Sequence, residues 1–207
     1  MLLTIHPVDP EPRKIKQVAG ILQSGGIVIY PTDTVYGIGC NMADHQAVER
    51  VCKLRRLDPQ RAMLSLICKD IAQVALYARQ LDNEVFRLMK KNLPGPFTFI
   101  LNSGNAVPKL FKNRKRTIGI RIPSNRIAQA IVEELGNPIL SASLLMEDSP
   151  EDFDEYFTDP LDMHDHFQHQ VELVIDGGPG GNVPSTLVDC SQDGFEIIRQ
   201  GAGELID

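Results

Sequence analysis

Two hydrophobic patterns alternate along the chain, and each marks a different kind of element. Residues 12–23 carry Ile15, Val18, Ile21 and Leu22 at helical spacing and stop before Gly25-Gly26, which predicts a helix with one buried face. Residues 26–30 form a continuous apolar run, long enough for a buried strand and too short for a helix. Helical spacing resumes over 43–56 through Ala47, Val48, Val51 and Leu54. Strands are predicted over 64–68, 97–101 and 117–122, and helices over 83–91 and 127–135, the latter ended by Gly136-Asn137-Pro138. Four further apolar runs, at 139–142, 171–175, 185–189 and 195–199, predict strands. Because the last strands follow one another closely, a strictly alternating parallel arrangement does not fit. The pattern predicts an α/β protein of α+β-like character, with a mixed, twisted sheet flanked by helices.

Length and composition narrow the class. With 207 residues, no repeat and no Pro/Gly/Ser linker, one domain over 1–207 is expected. No run approaches the roughly 18 apolar residues of a membrane span, and the N-terminus lacks a secretory pattern. The four cysteines are widely spaced without a CxxC pair, which points away from a zinc site or disulfide framework and toward a reducing compartment. A cytoplasmic protein with no membrane partner is expected.

Charge is distributed unevenly. Residues 1–126 hold 20 of the 21 Lys and Arg against 9 acids, whereas 127–207 hold one base against 18 acids. Either the two parts attract each other within one fold, or the bases converge on an anion while the acids lie elsewhere. Nine of those acids fall within an acidic stretch at 147–166, which reads as a solvated surface excursion.

Several segments carry candidate chemistry. Pro31-Thr32-Asp33-Thr34-Val35-Tyr36-Gly37 follows an apolar strand; if extended, it would align the hydroxyls of Thr32, Thr34 and Tyr36 on one face. It suits a pocket wall or an ordinary polar turn equally. Arg50, Lys53, Arg55, Arg56 and Arg61 crowd the end of the second predicted helix, where cations also favour the helix dipole. A second basic run, Lys109 to Arg116, is a wet loop or a nucleic-acid contact. Arg121 differs, because it lies inside the apolar run Ile118-Gly119-Ile120-Arg121-Ile122 and there requires a paired anion, from the protein or from a ligand carboxylate. Gly177 to Gly181 precede Ser185 and Thr186, and freed glycine amides beside hydroxyls suit phosphate oxygens. No Walker sequence or GxGxxG is present, and His164, His166 and His169 read as part of the acidic surface rather than as metal ligands.

Taken together the segments resemble the YrdC-like family of threonylcarbamoyl-AMP synthases, and within it the YciO branch. The resemblance rests on Tyr30-Pro31-Thr32-Asp33-Thr34-Val35-Tyr36-Gly37, Lys53-Leu54-Arg55, Pro94-Gly95-Pro96-Phe97-Thr98, Ile120-Arg121-Ile122-Pro123, Ser141-Ala142-Ser143, Pro184-Ser185-Thr186-Leu187-Val188-Asp189 and Ile198-Arg199-Gln200-Gly201, in that order, over about 12–203. It implies a YrdC/RibB-type fold whose twisted mixed sheet encloses a basic concave cavity. It also implies an ATP-dependent reaction in which L-threonine, bicarbonate and ATP give threonylcarbamoyl-AMP and pyrophosphate, for threonylcarbamoyladenosine modification of tRNA. By the same resemblance Thr32, Thr34, Tyr36 and Arg121 would bind threonine. Lys53 and Arg55 would meet the ATP phosphates, with Ser141, Ser143, Ser185 and Arg199 around the nucleotide; Lys53, Arg55 and Arg121 would be the catalytic set. Mg²⁺ would enter with ATP, with no protein metal motif. The sequence departs from the family pattern at Ser143, where an asparagine is usual, at Arg56-Leu57-Asp58-Pro59, where Arg-Pro is usual, and in the acidic stretch. The Ser143 departure implies weaker nucleotide contacts, since a hydroxyl cannot replace an amide's paired donor and acceptor. The alternative is a double-stranded RNA- or tRNA-binding protein of the same fold without efficient synthase activity.

Overall fold

The computed structural model describes residues 1–58, 64–107, 116–146 and 155–207. Arg61, Lys109 to Lys115 and the first part of the acidic stretch lie outside the described residues. In chain order the elements are β1 (Leu2–Thr4), α1 (Pro12–Gln23), β2 (Val28–Tyr30), β3 (Gly37–Asn41), α2 (His45–Leu54), β4 (Ser65–Ile67), α3 (Ile71–Tyr77) and α4 (Asn83–Asn92). They continue as β5 (Phe97–Asn102), β6 (Thr117–Arg121), α5 (Arg126–Leu135), β7 (Ile139–Ser143), α6 (Pro160–Phe167), β8 (Leu173–Asp176), β9 (Thr186–Asp189) and β10 (Glu196–Arg199).

Helix starts follow local chemistry. The side chains of Asp44, Asp70, Asp82 and Asn125 each accept a hydrogen bond from an otherwise orphaned backbone N–H in the first turn of α2, α3, α4 and α5. Gly136, at φ 76°, ends α5 in the left-handed conformation that its missing Cβ permits.

All ten strands join one sheet in the order β1-β8-β2-β3-β7-β4-β6-β5-β9-β10. The pairs β1/β8, β2/β8, β4/β6 and β5/β9 are parallel and the other five are antiparallel. The sheet is therefore mixed, as the closely spaced C-terminal strands require.

Strand alternation sorts the side chains onto two unlike faces. Ile29, Ile38, Leu140, Leu66, Ile120 and Phe99 point to a large apolar core covered by α2, α3, α4 and α6. Val28, Tyr30, Ile139 and Ile67 point the other way, to a smaller core under α1 and α5. That second cover stops midway across the sheet. Beyond it the same face carries Gly37, Gly39, Ser141, Ser143, Ser65, Gly119, Thr98 and Ser185, and small side chains there leave a hollow instead of a core.

Four elements were not anticipated. The strand β3 is obscured by its two glycines, poor strand formers that neighbouring side chains demand: a Cβ on Gly39 would lie 2.6 Å from Ile139 Cγ2. The acids and histidines of α6 conceal the apolar set Pro160, Met163 and Phe167 on its inner side, so this part of the predicted surface excursion is a packed helix. Short β1 and α3 offer too few residues for a period to show.

Candidate functional site

The hollow is a cavity of about 150 Å³ lined by residues of β3, β4, β5, β6, β7, β9 and β10, among them Ser65, Thr98, Arg121, Ser141, Ser143, Ser185 and Arg199. Residues from position 36 to position 199 thus meet at one place. Ser65 is a lining residue that no sequence signal singled out, and its pairing with Gly119 and Ser141 shows that it belongs; Thr98, the last residue of the family segment at 94–98, was given no role there.

Arg121 ends β6 on the cavity face and is 7% exposed. Its Nη2 donates to Thr34 Oγ1 at 2.9 Å and to Thr32 Oγ1 at 3.4 Å, and pairs with Asp33 Oδ1 at 3.0 Å. The second Asp33 oxygen accepts from the Ser124 backbone N–H at 2.9 Å and from its hydroxyl at 3.3 Å. The anion that Arg121 requires is therefore first a protein carboxylate. The Arg121 Nε is buried without an acceptor and its Nη1 makes no hydrogen bond among the described residues, so two of the guanidinium's three nitrogens have no partner there.

Residues 31–36 are not an extended strand. Thr32 Oγ1 accepts from the Thr34 backbone N–H at 3.1 Å and donates to the Val35 carbonyl at 2.7 Å, which folds the segment into a turn. The expected row of three hydroxyls is thereby broken. Thr32 and Thr34 turn to Arg121, while Tyr36 donates to the Gly178 carbonyl at 2.7 Å and accepts from the Gly177 N–H at 3.2 Å. Burial pushes the Tyr36 phenol up to about 12, so it stays protonated and lines the cavity with its ring.

The glycine-rich segment is not a phosphate cradle. The N–H groups of Gly177, Gly178, Gly180 and Gly181 are taken by Tyr36 Oη, Asp176 Oδ1 and the carbonyls of Thr158 and Thr34. Chain closure around Tyr36, rather than a ligand, accounts for these glycines.

On the opposite wall, Ser185 Oγ and Thr98 Oγ1 lie 2.7 Å apart, and Arg199 Nη2 donates to the Ser185 carbonyl at 3.0 Å. Thr186, fully buried, accepts from the N–H groups of Gly201 and Gly203 and donates to the Gly203 carbonyl at 2.6 Å, which fixes the chain directly after Arg199. Ser141 accepts from the Tyr30 phenol at 2.6 Å.

Lys53 is exposed in the last turn of α2 and lies outside the cavity lining. Arg55 donates to the Leu145 carbonyl at 3.2 Å and lines a second hollow of about 200 Å³ with Arg56 and Met146. Leu145 is two residues beyond Ser143, so this hollow opens at the same end of β7 as the cavity. The structure brings Arg121 and Arg199 together and keeps Lys53 and Arg55 apart from them. The histidines are remote: the His166 ring packs on Phe157 and Phe167, and among the described residues no His, Cys, Asp and Glu group converges as a metal site. No helix among the described residues is long and apolar enough to cross a membrane.

Known proteins share this fold. The chain is 42% identical to the uncharacterized protein YciO of Escherichia coli K12 over 97% of its length and 95% of that protein's. The crystal structure of E. coli YciO superimposes with a TM-score of 0.91, over 99% of this chain and 97% of that one. A threonylcarbamoyl-AMP synthase of Pyrococcus abyssi is 29% identical over 91% of this chain, which spans 54% of that longer protein. The structure of P. abyssi Sua5 complexed with L-threonine matches with a TM-score of 0.87 at 27% identity, over 97% of this chain and 57% of that one. Residues 20–201 match the Sua5/YciO/YrdC family, described as telomere recombination. With that match covering most of the chain and the full-length likeness to YciO beside it, the protein belongs to the Sua5/YciO/YrdC family, which is homologous to the threonylcarbamoyl-AMP synthases.

Proposed function

We propose that the chain is an ATP-dependent nucleotidyltransferase of the threonylcarbamoyl-AMP synthase type, converting L-threonine, bicarbonate and ATP to threonylcarbamoyl-AMP and pyrophosphate. The observation that carries this reading is the meeting of Arg121 and Arg199 in one cavity otherwise lined largely by hydroxyls. Such a lining suits oxyanions. At about 150 Å³ the cavity is the size of an amino acid rather than of a whole nucleotide. In this reading threonine occupies its Arg121 side and the α-phosphate its Arg199 side, and the rest of the triphosphate extends toward the second hollow beside Arg55.

The threonine carboxylate accepts from the open Nη1 of Arg121, because Asp33 and Thr34 already hold Nη2 and Nε is buried. The threonine amine adds to carbon dioxide formed from bicarbonate and loses a proton, giving a carbamate. A carbamate oxygen then attacks the α-phosphorus, and pyrophosphate leaves. Arg199 faces the α-phosphate, with Ser141, Ser143 and Ser185 around the nucleotide, while Lys53 and Arg55 meet the outer phosphates. Positioning and charge neutralisation do most of the chemistry. Mg²⁺ would enter with ATP and supply charge neutralisation at the phosphates; the cavity lining named above is rich in donors, and the Asp33 carboxylate behind Arg121 is already engaged. The product would feed threonylcarbamoyl transfer to tRNA adenosine.

The test is product analysis after incubation with ATP, Mg²⁺, threonine and ¹⁴C-bicarbonate. Labelled threonylcarbamoyl-AMP, with pyrophosphate release that needs both threonine and bicarbonate, is expected. Pyrophosphate release indifferent to threonine would refute the reading. Salt-sensitive RNA binding by a protein that makes no product, unchanged in Arg121→Ala, would favour the nucleic-acid alternative instead.

A further inference from the structure

Tyr30 belongs to none of the groups assigned so far, yet its phenol reaches the cavity floor. It is 1% exposed and ends β2 on the face shared by the small core and the hollow. Its ring lies across β3, over two glycines: a Cβ on Gly37 would sit 3.1 Å from Tyr30 Cζ, and one on Gly39 3.2 Å from Cε1. Any larger residue at either position would push the ring away from β7. The two glycines thus let the phenol reach Ser141 Oγ at 2.6 Å.

The polarity of that bond is determined. Among the described residues the Tyr30 hydroxyl has one partner, Ser141, and the geometry makes Tyr30 the donor. Reversing the bond would leave the phenol's own proton buried with no acceptor, which costs more than the bond returns. Burial holds the phenol up to about 12, so it does not ionise under ordinary conditions. A serine hydroxyl has a single proton. With Tyr30 donating to one of its two lone pairs, Ser141 keeps that proton for another partner, and Ser141 lines the cavity.

Neighbouring groups share this bias. Ser185 and Thr98 bond to each other, which leaves one of their two protons for the hollow. Arg121 and Arg199 can only donate.

We infer that Tyr30 is a positioning residue that commits the Ser141 proton to a ligand oxyanion, so that the cavity floor presents donors and selects carboxylate or phosphate oxygens. Its probe, MgATP, rests on the nucleotide reading above. Tyr30→Phe keeps the ring over Gly37 and Gly39 and removes only the hydroxyl. Ser141 then rotates freely, and MgATP affinity by calorimetry should fall about threefold to tenfold. In a Ser141→Ala background the same change should cost no further affinity, whereas a merely structural role would weaken binding equally in both backgrounds. That additive result would overturn the inference. A neutron structure of the unliganded protein tests it without any ligand: a deuterium on Tyr30 Oη aimed at Ser141 Oγ supports it, and one on Ser141 aimed at Tyr30 refutes it. Wild-type protein that ignores MgATP would sink the nucleotide reading alone, because the deuterium positions judge Tyr30 separately.

Discussion

Replacing Arg121 by alanine should damage the fold and the proposed chemistry by separable amounts. The side chains of Arg121 and Asp33 are 8% and 9% exposed, so the pair is desolvated and its loss strands a buried carboxylate. Breaking such a pair from one side costs about 3–5 kcal/mol. Here Asp33 keeps the Ser124 N–H at 2.9 Å, which places the expected loss at the lower end, about 3 kcal/mol. For a chain of this size that corresponds to a melting temperature lowered by about 6–12 °C. Asp33→Asn in the same background removes the stranded charge and should restore about 1–2 kcal/mol, a non-additivity that urea titration of the four proteins of the cycle will measure. Among folded variants at low temperature, threonine KM should rise far more than MgATP affinity falls. An Arg121→Ala protein melting within about 2 °C of wild type would refute the energetic reasoning. Equal losses for threonine and MgATP would refute the assigned role.

Further outcomes follow from other contacts. Lys53→Ala should weaken MgATP binding about tenfold while leaving threonine KM nearly unchanged, and initial-rate kinetics will show the split. Thr186→Val leaves the Gly201 and Gly203 amides without their acceptor; it should cost about 2–3 kcal/mol in urea unfolding and raise the KM for ATP by freeing Arg199. Burial raises the Tyr30 and Tyr36 phenols from 10.0 to about 12, and the Cys68 and Cys190 thiols from 9.0 to about 12. The unfolded chain releases those protons first, so their contribution is intact below about pH 9 and is lost as pH rises toward 12. Urea midpoints should hold level from about pH 7 to 8.5 and fall by about pH 10.5, less steeply in Tyr36→Phe. The four buried thiols should react slowly with a disulfide reagent until denaturant is added.

Periodicity revealed the elements whose burial is one-sided or complete. Ile15, Val18 and Leu22 announce α1, and Phe97 to Leu101 announce β5, because water exclusion alone selects those residues. Periodicity could not reveal β3, where close approach of Tyr30 and Ile139 overrides strand propensity. The charged residue inside an apolar strand was a readable signal, and Arg121 does end a buried strand at the cavity. Its partner was not readable, since an Asp in a polar turn looks like a turn residue until the sheet sets it 3.0 Å from the guanidinium. Ser65 was equally silent: a lone hydroxyl acquires meaning only through register across strands. Lys53 shows the converse, a basic cluster at a helix end whose position in the chain does not place it in the cavity.

The pairing of β5 with β9 joins Phe97 to Thr186, about ninety positions apart, and β10 adds Arg199 through β9 alone. Until that long loop closes, a nascent chain can bury most of its greasy residues and still own no hollow for an oxyanion. Competence should therefore arrive after compaction, as a late event in refolding. Ligand capture by a refolding sample should lag behind the recovery of its far-UV signal.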